Sequence, residues 1–162
     1  MDDLETSPFS PKVIGIAADH GGFELKEHII IWLKDKGYKV TDFGNSSFKI
    51  DDDYPDYILP LSHALRAGEV WRAIAICGSG VGASIAANKV SGIRACLIHD
   101  TFSAHQGVED DDLNMLCLGG SVIGTAFAEE LINTFLSAKF SGAERHRRRL
   151  DKVKAIEQLQ GI

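Results

Sequence analysis

The chain has 162 residues, of which 44% are apolar and 25% charged, a balance that supports one buried core and argues against disorder. Seventeen Lys and Arg against 23 Asp and Glu give a net charge of −6. An acidic chain of this kind is a poor candidate for general nucleic-acid binding.

Residues 1–11 carry two prolines and little hydrophobic pattern, so a loose leader is expected, followed by a single domain over 12–162. Val13–Ala18 is the short apolar run of a doubly buried parallel strand. Glu24–Lys36 then places Leu25, Ile29, Ile30, Trp32 and Leu33 on one helix face, and Gly37 ends the helix. Tyr38–Phe43 reads as a second strand and Asn45–Tyr54 as a polar loop. Pro55 opens a helix over Asp56–Ala67. The pattern repeats with a strand at Arg72–Cys77, a Gly-rich turn at Gly78–Gly82 and a helix at Ala83–Val90. Next come a strand at Ile93–Ile98, a loop with a short helix at His99–Val108 and a fifth strand at Leu113–Leu118. Helices at Thr125–Ser137 and Arg147–Gln160 complete the chain. Strands alternating with helices imply parallel pairing. The expected fold is a three-layer α/β/α sandwich, Rossmann-like, with a five-stranded parallel sheet. Ligands of such sheets sit beyond the carboxyl ends of the strands.

Three cysteines, Cys77, Cys96 and Cys117, with no CxxC spacing exclude a disulfide scaffold and point to a reducing, cytoplasmic setting. Cys96 and Cys117 lie inside strand patterns and fit the packing role of free cysteines. No apolar run approaches the roughly 18 residues of a membrane span, so no membrane partner is expected. The acidic start Met1-Asp2-Asp3-Leu4-Glu5 has no signal-peptide pattern.

Four segments carry polar chemistry. Asp19-His20-Gly21-Gly22 follows the first strand, where the Asp could equally cap the next helix. Cys77-Gly78-Ser79-Gly80-Val81-Gly82-Ala83 joins the third strand to a helix. Its glycines leave backbone N–H groups free to face an anion. It is neither a Walker loop nor the dinucleotide fingerprint, which belongs after the first strand. At the start of a helix, Cys77 can act through its thiolate as base or nucleophile, or it can simply pack. Glu109-Asp110-Asp111-Asp112 reads as a solvated loop without EF-hand spacing, so no metal is expected. Arg145-His146-Arg147-Arg148-Arg149 is a basic cluster on an acidic protein. Arg145 and Arg149 share a helix face, and two guanidinium forks suit a phosphate monoester.

Over about residues 12–157 the chain resembles the type-B ribose-5-phosphate isomerases and the related galactose-6-phosphate isomerase subunits. The resemblance rests on residues 18–26, Asp53-Tyr54-Pro55, residues 77–82, residues 85–89, residues 92–95, and Arg145-His146 with Arg149. It implies a cofactor-free aldose–ketose isomerase acting through a cis-enediolate. By the same resemblance Cys77 is the base and Ser79 moves protons between the sugar oxygens. Backbone N–H groups of Gly78, Gly80, Val81, Gly82 and Ala83 hold the oxyanion, and Asp19 and Tyr54 contact the sugar. His20, Arg145 and Arg149 hold the phosphate. The family forms homodimers with sites at the interface, and pairing of dimers into tetramers is left open.

Two departures from the family pattern stand out. Asp110 and Asp111 replace its His-Asn pair, whose histidine opens the furanose ring, and Ser121 replaces a phosphate-binding arginine. His99 and His105 are nearby candidates to compensate. Ribose 5-phosphate is the default substrate. A tetrose 4-phosphate, which cannot close a furanose through its phosphorylated hydroxyl, and a hexose 6-phosphate are the alternatives. A non-catalytic sugar-phosphate binder and, last, an RNA-binding module using the C-terminal arginines complete the readings.

Overall fold

A computed structural model describes residues 12–159; the expected leader at 1–11 lies outside the described residues. The strands are β1 (Val13–Ala18), β2 (Lys39–Asp42), β3 (Arg72–Cys77), β4 (Ala95–Leu97) and β5 (Met115–Gly119). The helices are α1 (Phe23–Asp35), α2 (Pro55–Arg66), α3 (Val81–Ala87), α4 (Thr101–Asp111), α5 (Thr125–Ser137) and α6 (Glu144–Leu159). The strands form one parallel sheet in the order β2-β1-β3-β5-β4.

Alternation along the strands explains the layers. Ile14, Ile16, Ile74, Ile76, Leu116 and Leu118 point to one face, where α1, α4 and α5 bury Ile29, Leu33, Val108, Leu131 and Phe135. Ala17, Ala73, Ala75, Cys77 and Cys117 point to the other face, against Ile58, Leu61 and Leu65 of α2 and Ala83 and Ala87 of α3. The second face is built from small residues, so α2 and α3 sit close to the sheet. At Gly15 an added Cβ would lie 2.6 Å from Leu61 Cδ1.

Two elements differ most from the sequence expectation. β4 keeps only three residues, because the chain beside it is committed to side-chain contacts. Asn88, at the end of α3, donates from Nδ2 to the Ala95 carbonyl (2.8 Å) and accepts the Ala95 N–H at Oδ1 (2.9 Å). Arg94 donates to the Asp112 carbonyl (2.8 Å) and to Asp112 Oδ2 (2.9 Å). On this short edge strand Cys96 is exposed rather than packed, while Cys117 in β5 is fully buried. The short helix expected within His99–Val108 is α4, eleven residues long, and it runs on through Glu109, Asp110 and Asp111, which were expected in a solvated loop. Asp100 caps its start by accepting the Ser103 N–H (2.7 Å), and Asp112 in the left-handed conformation (φ 49°) ends it.

Arg72 closes the bottom of the sheet. Its guanidinium lies 4.4 Å from the Trp71 ring centroid and 4.9 Å from that of Phe135. It donates to the Phe135 carbonyl and, at 2.9 Å, to that of Ala138. These are carbonyls left over at the end of α5. Arg72→Leu should therefore lower stability by about 2–4 kcal/mol, since two buried acceptors lose their donor. Arg72→Lys should recover only part of it, for want of a planar fork. Urea midpoints at constant slope check both.

Candidate active site

Parallel pairing brings the segments after β1, β3 and β5 to one edge. The chain leaves β1 toward β2 on one side and returns to β3 on the other, which opens a crevice at their carboxyl ends. Backbone fills this edge densely. The Gly120 N–H donates to the Cys77 carbonyl (2.8 Å) and the Ser121 N–H to the Gly78 carbonyl (3.0 Å). An added Cβ at Gly21 would lie 2.6 Å from Gly78 N, and one at Gly120 would strike the Gly21 carbonyl.

Cys77 ends β3 and is 4% exposed. Its Sγ accepts the Gly80 N–H at 3.1 Å. Gly80 adopts φ +81°, and a Cβ there would lie 2.6 Å from Leu97 Cδ1 and 2.8 Å from the Leu118 carbonyl carbon. Only glycine meets both demands. Ser79 is exposed and its Oγ accepts the Val81 N–H at 3.3 Å. Two of the loop's N–H groups are thus engaged, by Cys77 and by Ser79. Those of Gly82 and Ala83, in the first turn of α3, have no protein acceptor among the described residues. The Tyr54 ring lies over Gly82, where a Cβ would be 2.7 Å from its Cζ.

Across the crevice Asp19 is 6% exposed, and its Oδ1 accepts the Gly21 N–H at 2.9 Å. Burial raises its carboxyl above the usual range, against the opposing pull of the Gly21 N–H and His20. The His20 ring pairs through Nδ1 with Asp52 Oδ1 at 2.7 Å. The Asp19, His20 and Asp52 donor atoms all lie within 4.8 Å of one another. His99, after β4, accepts the Gly119 N–H at Nε2 (3.2 Å) and so borders this edge. His105 instead lies within α4, beside Glu109 (3.0 Å).

The basic cluster sits elsewhere. α4 starts at the carboxyl end of β4 and must return to the opposite edge before β5 begins. Eleven residues at about 1.5 Å each span roughly 16 Å. Asp110 and Asp111 lie at its far end. There Gln106 Nε2 donates to Asp110 Oδ2 (2.8 Å), and Asp110 Oδ1 is 3.4 Å from His146 Nδ1. The Ser141 N–H donates to the Glu109 carbonyl (2.9 Å), anchoring the start of α6. Arg145 donates from Nε to His146 Nε2 at 2.9 Å, and Arg149 is exposed one turn on. Neither arginine is paired with a carboxylate among the described residues. Within one chain, then, Asp19, His20, Tyr54 and residues 77–83 gather at one edge. Asp110, Asp111, Arg145 and Arg149 gather at the other. Ser121 lies with the first group.

Comparison with known proteins resolves what this arrangement belongs to. Residues 14–153 match the Ribose/Galactose Isomerase family. The chain belongs to that family. It is 40% identical over 147 residues to ribose-5-phosphate isomerase B of Escherichia coli, covering 91% of this chain and 97% of that protein. It is also 40% identical over 129 residues to D-erythrulose-4-phosphate isomerase of Pectobacterium atrosepticum, covering 80% and 85%. The structure of Clostridium thermocellum ribose-5-phosphate isomerase B superposes with a TM-score of 0.88 at 44% identity, covering 91% and 99%. The family's five-stranded α/β fold is the one expected from the sequence.

Sequence reasoning did not single out Asp52 or Asn45. Asp52 is one of three consecutive aspartates, Asp51 to Asp53, and nothing in the pattern separates it from its neighbours. A geometric test of the Cys77 loop follows. Gly80→Ala should cost about 1–3 kcal/mol from backbone strain, with further loss from the clash at Leu97 and Leu118. Gly68→Ala, at φ +75° with open space around it, should cost only about 1–2 kcal/mol. Thermal or urea unfolding of the two variants checks the difference.

Proposed function

We propose that the protein interconverts the aldose and ketose forms of a phosphorylated sugar, ribose 5-phosphate first, without metal or cofactor. The observation that carries this is Cys77 at the crevice, with a backbone donor on its sulfur and the free N–H groups of Gly82 and Ala83 beside it. Family membership and the names of the relatives support it. Cys77 takes the proton from the carbon next to the carbonyl and returns it one carbon away. Ser79 carries the proton between the two oxygens. The loop N–H groups hold the enediolate oxygen; one such donor is worth about 3 kcal/mol in the barrier. Asp19 and Tyr54 fix the sugar.

The phosphate is held by His20 together with Arg145 and Arg149 of a second copy, because one chain keeps its arginines at the far edge. A homodimer of this kind also covers the apolar side chains around the crevice. Val81 and Ile85 of α3, Phe102 of α4 and Val122 after β5 are 47%, 55%, 73% and 59% exposed. No described helix is long and apolar enough to cross a membrane. A cytoplasmic setting is supported by the three free cysteines.

One observation favours a second substrate. Asp110 is held by Gln106 and faces His146, so it is committed to positioning the start of α6. A tetrose 4-phosphate needs no ring opening, and one relative bears the name of a tetrulose phosphate. Side-by-side assay of ribose 5-phosphate and erythrose 4-phosphate decides between them. Equal or better kcat/KM for ribose 5-phosphate removes the tetrose reading; no turnover of either, nor of a hexose 6-phosphate, overturns the isomerase reading.

The shared site has its own test. Cys77→Ala and the double variant Arg145→Ala/Arg149→Ala should each be inactive alone. Refolded together, half the dimers are mixed and each holds one intact site, so about a quarter of wild-type activity returns. No recovery, despite mixed dimers detected by mass, contradicts a site built from two chains.

A further inference from the structure

We propose that Asp52 is a positioning residue that holds His20 as an imidazolium with its Nε2–H aimed outward, so that a sugar phosphate meets a fixed cation. This rests on the isomerase reading above and adds to it a residue that the reading does not use.

The geometry is specific. Asp52 has a side chain only 4% exposed, although residues 46–51 before it in the same loop are all exposed. Both of its oxygens are occupied. Oδ1 accepts the His20 backbone N–H at 2.9 Å and the ring Nδ1–H at 2.7 Å. Oδ2 accepts Asn45 Nδ2 at 2.6 Å. A carboxylate only accepts, so Nδ1 must carry the proton, and the two bonds to one oxygen fix both the backbone and the ring of His20. Phe48 packs edge-on against the same ring at 6.5 Å. Nε2 has no partner among the described residues, and the His20 side chain remains 35% exposed.

The charged groups around His20 all act in one direction. Asp52 comes from the loop before α2, and Asp19 from the end of β1. Tyr57 of α2 faces Asp52. The Asp52 hydrogen bond is the main cause that raises the histidine above its ordinary value, with Asp19 adding to it. Desolvation pushes Asp52 upward, but its bonds from His20 and Asn45 outweigh that and leave it lowered. His20 therefore stays charged to higher pH than a free histidine, and Asp52 stays ionised to lower pH. Between those limits the pair presents one donor and one positive charge to an incoming dianion.

The test is Asp52→Asn, which keeps size and can still accept from His20. The Asn45 Oδ1, buried without a partner among the described residues, can turn to accept the new amide. Two readouts are needed. In the substrate-free protein, NMR titration of His20 should shift to lower pH in the variant. In turnover of ribose 5-phosphate, KM should rise about tenfold at pH 8 with kcat nearly unchanged. The KM ratio of variant to wild type should shrink toward pH 6, where the variant's His20 regains its proton. The ionisation of the substrate phosphate is common to both proteins and cancels in that ratio. An unmoved His20 titration, or a KM ratio independent of pH, overturns the proposal. If wild type turns over no sugar phosphate, the isomerase reading fails, while the titration still decides whether Asp52 holds the charge.

Discussion

Parallel pairing sends the carboxyl end of every strand to the same edge, and a helix that connects two such strands must travel back to the other. Here that rule places Cys77, Asp19 and the glycine-rich loop together, and it carries the end of α4 and the start of α6 away from them. The crevice edge is then compressed until backbone touches backbone. Gly21 against Gly78, Gly120 against Gly21, and Gly80 against Leu118 leave no room for a Cβ. The chemistry proposed for Cys77 depends on this compression. It brings a main-chain N–H onto the sulfur and leaves the next N–H groups of α3 free.

Charge is divided along the same axis. The chain is acidic overall at −6, yet the start of α6 presents Arg145, Arg147, Arg148 and Arg149 without carboxylate partners among the described residues. Glu157, which could have balanced them, is turned instead to Ser91 (3.1 Å) and the Gly92 N–H (3.1 Å). At the crevice edge His20 is paired with Asp52, whose side chain is 4% exposed. A phosphorylated sugar has one end that needs a base and one that needs positive charge. In the proposed site the crevice edge supplies the base and His20, and the arginines at the far edge come from a second copy.

Much of the fold was legible because periodicity reports burial. Ile14, Ile16, Ile74 and Ile76 lie in short apolar runs of the kind a doubly covered strand makes, and α5 was bounded to the residue by its apolar spacing. Motif glycines were legible too, since Gly78–Gly82 between strand and helix has few other uses. The edges of the sheet were not. β4 is short because Asn88 and Arg94 hold its ends through side chains, and hydrophobic pattern carries no trace of such bonds. α4 extends through three acidic residues because a left-handed Asp112 ends it, where charge alone suggested a loop. The His20–Asp52 pair spans 32 positions and obeys no period, so only coordinates reveal it.

If Cys77 moves a carbon-bound proton in the proposed reaction, isotope incorporation reads that step out. Ribose 5-phosphate is incubated in D₂O with wild type and with folded Cys77→Ala, and the C1 and C2 positions are followed by proton NMR. With Cys77 as the base, deuterium appears at those carbons with wild type and none above background with the variant. Incorporation by Cys77→Ala at the wild-type rate would contradict it, because another group would then be the base.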